Sequence, residues 1–123
     1  MTDDRDEAGM RVRREVLGDE HVDRAQAGAT EFSAPFQEFI TRVAWGDVWD
    51  RDGLDRRQRS MITLAVLCAL RAEEELALHV RAAVRNGLTP EEIREVLLHT
   101  AVYAGIPAAN SAMAIAQRTL AEL

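Results

Sequence analysis

No stretch of this chain alternates apolar and polar residues with a period of two for long enough to build a convincing strand. From Ala8 to Leu120 the recurring spacing is three and four, the period of a helix with one apolar face. Met61, Ile62, Leu64, Ala65, Leu67, Cys68 and Leu70 are apolar nearly all round the helix they predict, from Asp55 to about Leu70, so that helix should be central.

Punctuation residues divide the rest. Helical pattern begins at Ala8 and ends near Gly18, after an acidic stretch, Met1 to Glu7, that should fray. His21 to Thr30 reads as a short helix or ordered connector. Ser33 and Pro35 suit the start of a helix to Trp49, with Phe36, Phe39, Ile40, Val43 and Ala44 on its apolar face. After a break near Arg71, a further helix should run to Asn86, with Gly87 just past its end. Thr89-Pro90-Glu91-Glu92 is a strong start signal: a capping threonine, proline at the first helical position and glutamate at the third. Gly105-Ile106-Pro107 separates that helix from a last one ending near Leu120. The expected fold class is all-α, in one domain spanning residues 1–123.

Composition narrows the function. The net charge of -6, with basic residues scattered and outnumbered, argues against a nucleic-acid partner. No apolar run is long enough to cross a bilayer and no secretory leader pattern opens the chain, so the expectation is a soluble cytoplasmic protein with no membrane partner. The single cysteine, Cys68, excludes an intrachain disulfide and a CxxC redox pair. All 15 basic residues are arginine, which removes lysine Schiff bases and leaves cations suited to carboxylates.

Against that background Glu75 and His79 stand out. Four residues apart, they share a helix face along the edge of the stripe Ala72, Leu76, Val80, Ala83. A carboxylate there can orient an imidazole and favour its protonated form. The plainer reading is a hydrogen-bonded structural histidine. His21, His79 and His99 lack metal-site spacing, so no metal is expected. Arg81 lies two residues on, toward another face, and Arg59 opens the most apolar helix; either can be an anion-binding cation or a solvated one. Trp45 and Trp49 can anchor a core or wall a pocket. Tyr103-Ala104-Gly105-Ile106-Pro107-Ala108-Ala109-Asn110 can be a simple chain reversal or a helix start facing an anion. Cys68 reads as an inert buried thiol.

These residues occur in a specific order: Arg13-Arg14-Glu15-Val16-Leu17-Gly18-Asp19; Phe36-Gln37-Glu38; Ile40-Thr41-Arg42; Ala44-Trp45-Gly46-Asp47; Arg59-Ser60; Glu74-Glu75-Leu76-Ala77-Leu78-His79-Val80-Arg81-Ala82-Ala83; Asn86-Gly87; Glu92-Ile93; Glu95-Val96-Leu97-Leu98; and the segment Tyr103 to Asn110. From Ala8 onward the chain resembles the carboxymuconolactone decarboxylase/AhpD-like superfamily, on its 4-carboxymuconolactone decarboxylase branch. The resemblance implies an AhpD-like orthogonal bundle of about six helices, assembled as a homotrimer or homohexamer. It implies cofactor-free decarboxylation of 4-carboxymuconolactone to 3-oxoadipate enol-lactone, in protocatechuate breakdown through the β-ketoadipate pathway. The superfamily's redox branch carries CxxC one turn before its histidine. Aligning that histidine with His79 puts Ala72 and Glu75 at the cysteine positions, which argues against thiol peroxidase or reductase activity. On this reading His79 is the acid, Glu75 supports it, and Arg59, Arg81 and Trp45 form the substrate site. The alternative outside enzymology is a non-catalytic helical oligomer that binds a small ligand.

Overall fold

The structure is a computed structural model and describes residues 4–123; the part of the expected frayed segment before Asp4 lies outside the described residues. The fold is all-α as expected, and the described residues form seven α-helices and one π-helical segment: α1 Asp4–Leu17, α2 Asp19–Ala27, α3 Ala34–Ile40, the π segment Thr41–Val48, α4 Arg56–Leu70, α5 Glu73–Arg85, α6 Pro90–Ala104 and α7 Ile106–Ala121. They group into two compact units, one through Leu54 and the other Asp55–Leu123.

In the first unit α1 packs on the π segment at backbone distance. A Cβ on Gly9 would stand 2.1 Å from the Thr41 carbonyl oxygen, and one on Gly46 would stand 2.6 Å from the Arg5 carbonyl oxygen. Only glycine permits such an approach. Val12, Val16, Val22 and Trp45 are buried around it. The sequence predicts one regular helix over 33–49, but from Thr41 the winding loosens. The Trp49 N–H donates to Ala44 O, five residues back, at 2.9 Å. Three other expectations fail locally. Asp4 to Glu7 is helical, with acidic side chains favoured at the positive end of α1. Ser33 does not cap α3; its Oγ accepts from the Thr30 N–H at 2.9 Å and closes a turn. Phe36 and Phe39 are more than half exposed, so the apolar face of α3 is not covered within its unit.

The second unit follows its sequence signals closely. Asp55 and Gln58 form a reciprocal capping box at the start of α4, and Thr89 and Glu92 another at the start of α6. Arg71, with φ 57°, turns the chain between α4 and α5, and Gly87 and Gly105, with φ 99° and 104°, end α5 and α6. Leu64, Cys68, Leu76, Val80, Ile93, Leu97, Ala112 and Ile115 form its core. Arg57, on the first turn of α4, donates to the Gly87 carbonyl and to Glu92, tying α4 to the α5–α6 connection.

Glu92 is therefore held below the usual carboxylate range, first by the Thr89 N–H and then by Arg57. A depressed carboxylate contributes stability above its unfolded pKa and loses it as pH falls through the folded value. The stability difference between wild type and Glu92→Gln should therefore shrink as pH is lowered from about 6 to about 3. Urea unfolding across that range measures it; a pH-independent difference would contradict the assignment.

Candidate active site

Helix α5 carries the expected pair. Its first turn holds Glu73, Glu74 and Glu75, where negative charge opposes the exposed N–H dipoles. Leu76, Val80 and Ala83 fix the inward face. His79, one position off that stripe, is half-buried, and its Nδ1 is closed to solvent. Glu75 is exposed, and the described residues include no hydrogen bond between Glu75 and His79. The two lie one turn apart on the same helix.

Arg59 sits on the neighbouring α4, half-buried, with its Nε closed to solvent. The next residue, Ser60, is buried and accepts a hydrogen bond from Asn86 Nδ2 at 2.8 Å. That bond ties the start of α4 to the end of α5 and fixes the backbone that carries Arg59. Arg81 lies elsewhere: it is exposed in a groove of about 370 Å³ between α5 and α7, where Arg118, Glu73 and Glu74 also face, and which His79 does not line. Trp45 belongs to the first unit. It is only 6% exposed, and its ring centroid lies 5.1 Å from that of Trp49 at a 36° tilt. Trp45 is a core aromatic of the π segment, and the half-buried Trp49 just past its end packs against it.

A second feature was not legible in the sequence. An apolar groove of about 480 Å³ opens between α4 and α6, walled by Met61, Ile62, Ala65 and Val96, with His99 at its margin. The His99 ring lies 5.3 Å from that of Tyr103 on the same exposed face of α6. No local signal distinguishes His99 from a solvated helix residue.

Cys68 lies in the core at 1% exposure, and burial pushes its thiol pKa up, with Arg71 opposing only in part. Such a thiol is a poor nucleophile near neutral pH. Cys68→Ser should keep most of the activity while losing about 1–3 kcal/mol of stability through burial of a hydroxyl. Turnover and thermal unfolding of the purified variant check this; abolished turnover in a folded variant would contradict an inert thiol.

The family model described as the carboxymuconolactone decarboxylase family matches residues 34–118, a span that begins on α3 and includes Trp45, Arg59, Glu75, His79 and Arg81. The chain belongs to the carboxymuconolactone decarboxylase family. Among its relatives, the 4-carboxymuconolactone decarboxylase of Acinetobacter baylyi is 49% identical over 115 residues, covering 94% of this chain and 86% of the relative. The nitrosuccinic acid decarboxylase of Metarhizium robertsii is 50% identical over 115 residues, covering 94% of this chain and 80% of the relative. A 4-carboxymuconolactone decarboxylase sequence of Pseudomonas putida is 58% identical over 41 residues, a third of this chain. The family's decarboxylase relatives make this chain a carboxy-lyase, and its all-helical build agrees with that membership. No described helix is long and apolar enough to cross a membrane.

Proposed function

We propose that this chain, acting as one functional domain, decarboxylates 4-carboxymuconolactone to 3-oxoadipate enol-lactone and carbon dioxide, without a cofactor, in protocatechuate catabolism through the β-ketoadipate pathway in the cytoplasm. The similarity to the Acinetobacter decarboxylase over nearly the whole of both chains carries this reading.

The substrate holds its own electron sink. The departing carboxylate sits on the γ carbon of an unsaturated lactone. As that carbon–carbon bond breaks, its electron pair moves through the double bond to the lactone carbonyl, giving a dienolate. A proton then adds at the α carbon. The protein must supply an acid for that carbon, a donor for the developing oxyanion and a cation for the remaining carboxylate.

His79 is the acid. Its half-buried position gives it access to a ligand while limiting competition from water. Glu75, one turn before it and exposed, supports the imidazolium through space rather than through a hydrogen bond. Arg59 holds the side-chain carboxylate by its planar fork, and Arg81, in the α5–α7 groove that His79 does not line, is left a lesser role outside that contact.

The nitrosuccinic acid relative supplies the rival substrate. Nitrosuccinic acid is also a dicarboxylic acid whose leaving carboxylate has an adjacent electron sink, the nitro group. Parallel kinetics separate the two: kcat/KM on the lactone should exceed that on nitrosuccinate by about 10²-fold or more. The reverse preference would transfer this chain to the nitro acid.

The assembly is proposed to be trimer-based, as a homotrimer or a homohexamer. Ile62, Val66 and Leu70 repeat every four residues along α4 and are each about half exposed or more, and Val102, Tyr103 and Ile106 are at least three-quarters exposed. Apolar surface of this kind favours association. Val66→Asp should shift the light-scattering mass toward the monomer; wild type running as a stable monomer at micromolar concentration would contradict the assembly.

A further inference from the structure

Arg13, on α1, is only 3% exposed, and its partners are neutral. Its Nη1 donates to Thr41 Oγ1 at 3.1 Å and its Nη2 to Gln37 Oε1 at 2.9 Å. The Nε–H is equally buried and meets no acceptor among the described residues. Burial, and then the neighbouring cation Arg14, lower its pKa from the usual arginine value. A guanidinium nevertheless keeps its proton at any working pH. Among the described residues Arg13 is therefore a buried cation bonded to no counter-charge, a costly arrangement that an anion would relieve.

Arg5, in the same unit, presents what such a group accepts. Its Nε and Nη2 donate side by side to the Asp47 carboxylate at 2.8 and 2.6 Å. On Arg13 the corresponding edge is half used: Nη2 meets an amide oxygen and Nε meets nothing. Gln37 and Thr41, which cover this guanidinium, also line a cavity of about 620 Å³ within the first unit. That volume suits a small ligand. Arg13 itself is not on the cavity wall, so Gln37, which holds Nη2, would have to turn aside for a ligand in the cavity to reach the guanidinium.

We propose that this edge of Arg13, screened by Gln37, binds the carboxylate of a small organic acid entering the cavity. Met10, Ala29 and Ala34 on the cavity wall offer apolar contact for the acid's carbon body. The charged side chains on the wall are Asp6, Glu7 and Glu38 against Arg11 and Arg14, an acidic excess that favours a singly charged carboxylate over a multiply charged group such as phosphate. The site stands apart from the lactone reading, because its readout is at Arg13 and not in turnover.

The test follows the arginine Nε–H signals of the full-length protein by ¹⁵N NMR during titration with hexanoate, the Arg13 signal being assigned by its loss in Arg13→Lys. In wild type the Arg13 signal should move downfield and saturate. In Gln37→Glu, which supplies an internal carboxylate, it should lie downfield before any addition, and the hexanoate response should weaken by about tenfold or more. Phosphate should leave the signal in place. Hexanoate leaving the Arg13 signal unmoved, an undiminished response in Gln37→Glu, or an equal response to phosphate would each overturn the assignment.

Discussion

His79→Ala is expected to lower turnover of the lactone by about 10²–10⁴-fold, the usual worth of a positioned proton donor. The substrate's electron sink makes loss of carbon dioxide possible without a metal or an organic cofactor, but it leaves a dienolate that can recapture carbon dioxide until its α carbon is protonated. The imidazole on α5 is the group assigned to that proton. KM should change little by comparison, because the acid acts on the intermediate and not on the carboxylate that anchors the substrate. Glu75→Gln should cost much less, since Glu75 is exposed and makes no hydrogen bond to His79 among the described residues. Arg59→Ala should show the opposite split and mainly raise KM. Steady-state kinetics on variants with wild-type helicity and assembly check all three. A fully active His79→Ala would remove His79 from the chemistry.

Gly9→Ala is expected to have the largest effect on folding. The new Cβ would sit 2.1 Å from the Thr41 carbonyl oxygen, which is backbone and cannot rotate away. Helix α1 would have to lift from the π segment. The contacts that depend on that register would weaken together: the Gly46 approach to Arg5, the Arg5–Asp47 pair and the Arg13 bonds to Thr41 and Gln37. Overpacking of this kind costs about 3 kcal/mol, or roughly 10 °C in the melting temperature of a domain this size. Thermal unfolding followed by circular dichroism measures it. An unchanged melting temperature would mean that α1 and the π segment are not packed as described.

The second unit was far more legible in the sequence than the first. Its boundaries are written in residues with one physical use each: Asp55 and Thr89 as caps, Pro90 at a first helical position, Gly87 and Gly105 in conformations that favour glycine. The first unit turns on features without such markers. A π segment adds one residue per hydrogen-bonded ring and has no compositional signature, so Thr41–Val48 reads as ordinary helix. Gly46 serves the close approach of two backbones, which no local pattern around it announces. Arginine is seldom fully buried, so nothing local marked Arg13 as an interior cation. The site divides in the same way. Helical periodicity put Glu75 and His79 on one face but could not show that Glu75 extends into solvent. It put Arg81 on a different face from His79, and only the packing of α7 against α5 shows which groove that face lines. Periodicity gives the direction of a side chain about its own helix, while the partner it meets is set by the packing of other helices.

Conversion of 4-carboxymuconolactone by the purified protein, dialysed against chelator and supplied with no cofactor, tests the central claim most directly. Enol-lactone and carbon dioxide should form in equal amounts over many turnovers, at a rate that His79→Ala lowers by at least about a hundredfold. A folded, assembled wild-type protein that leaves the lactone unchanged would contradict the account.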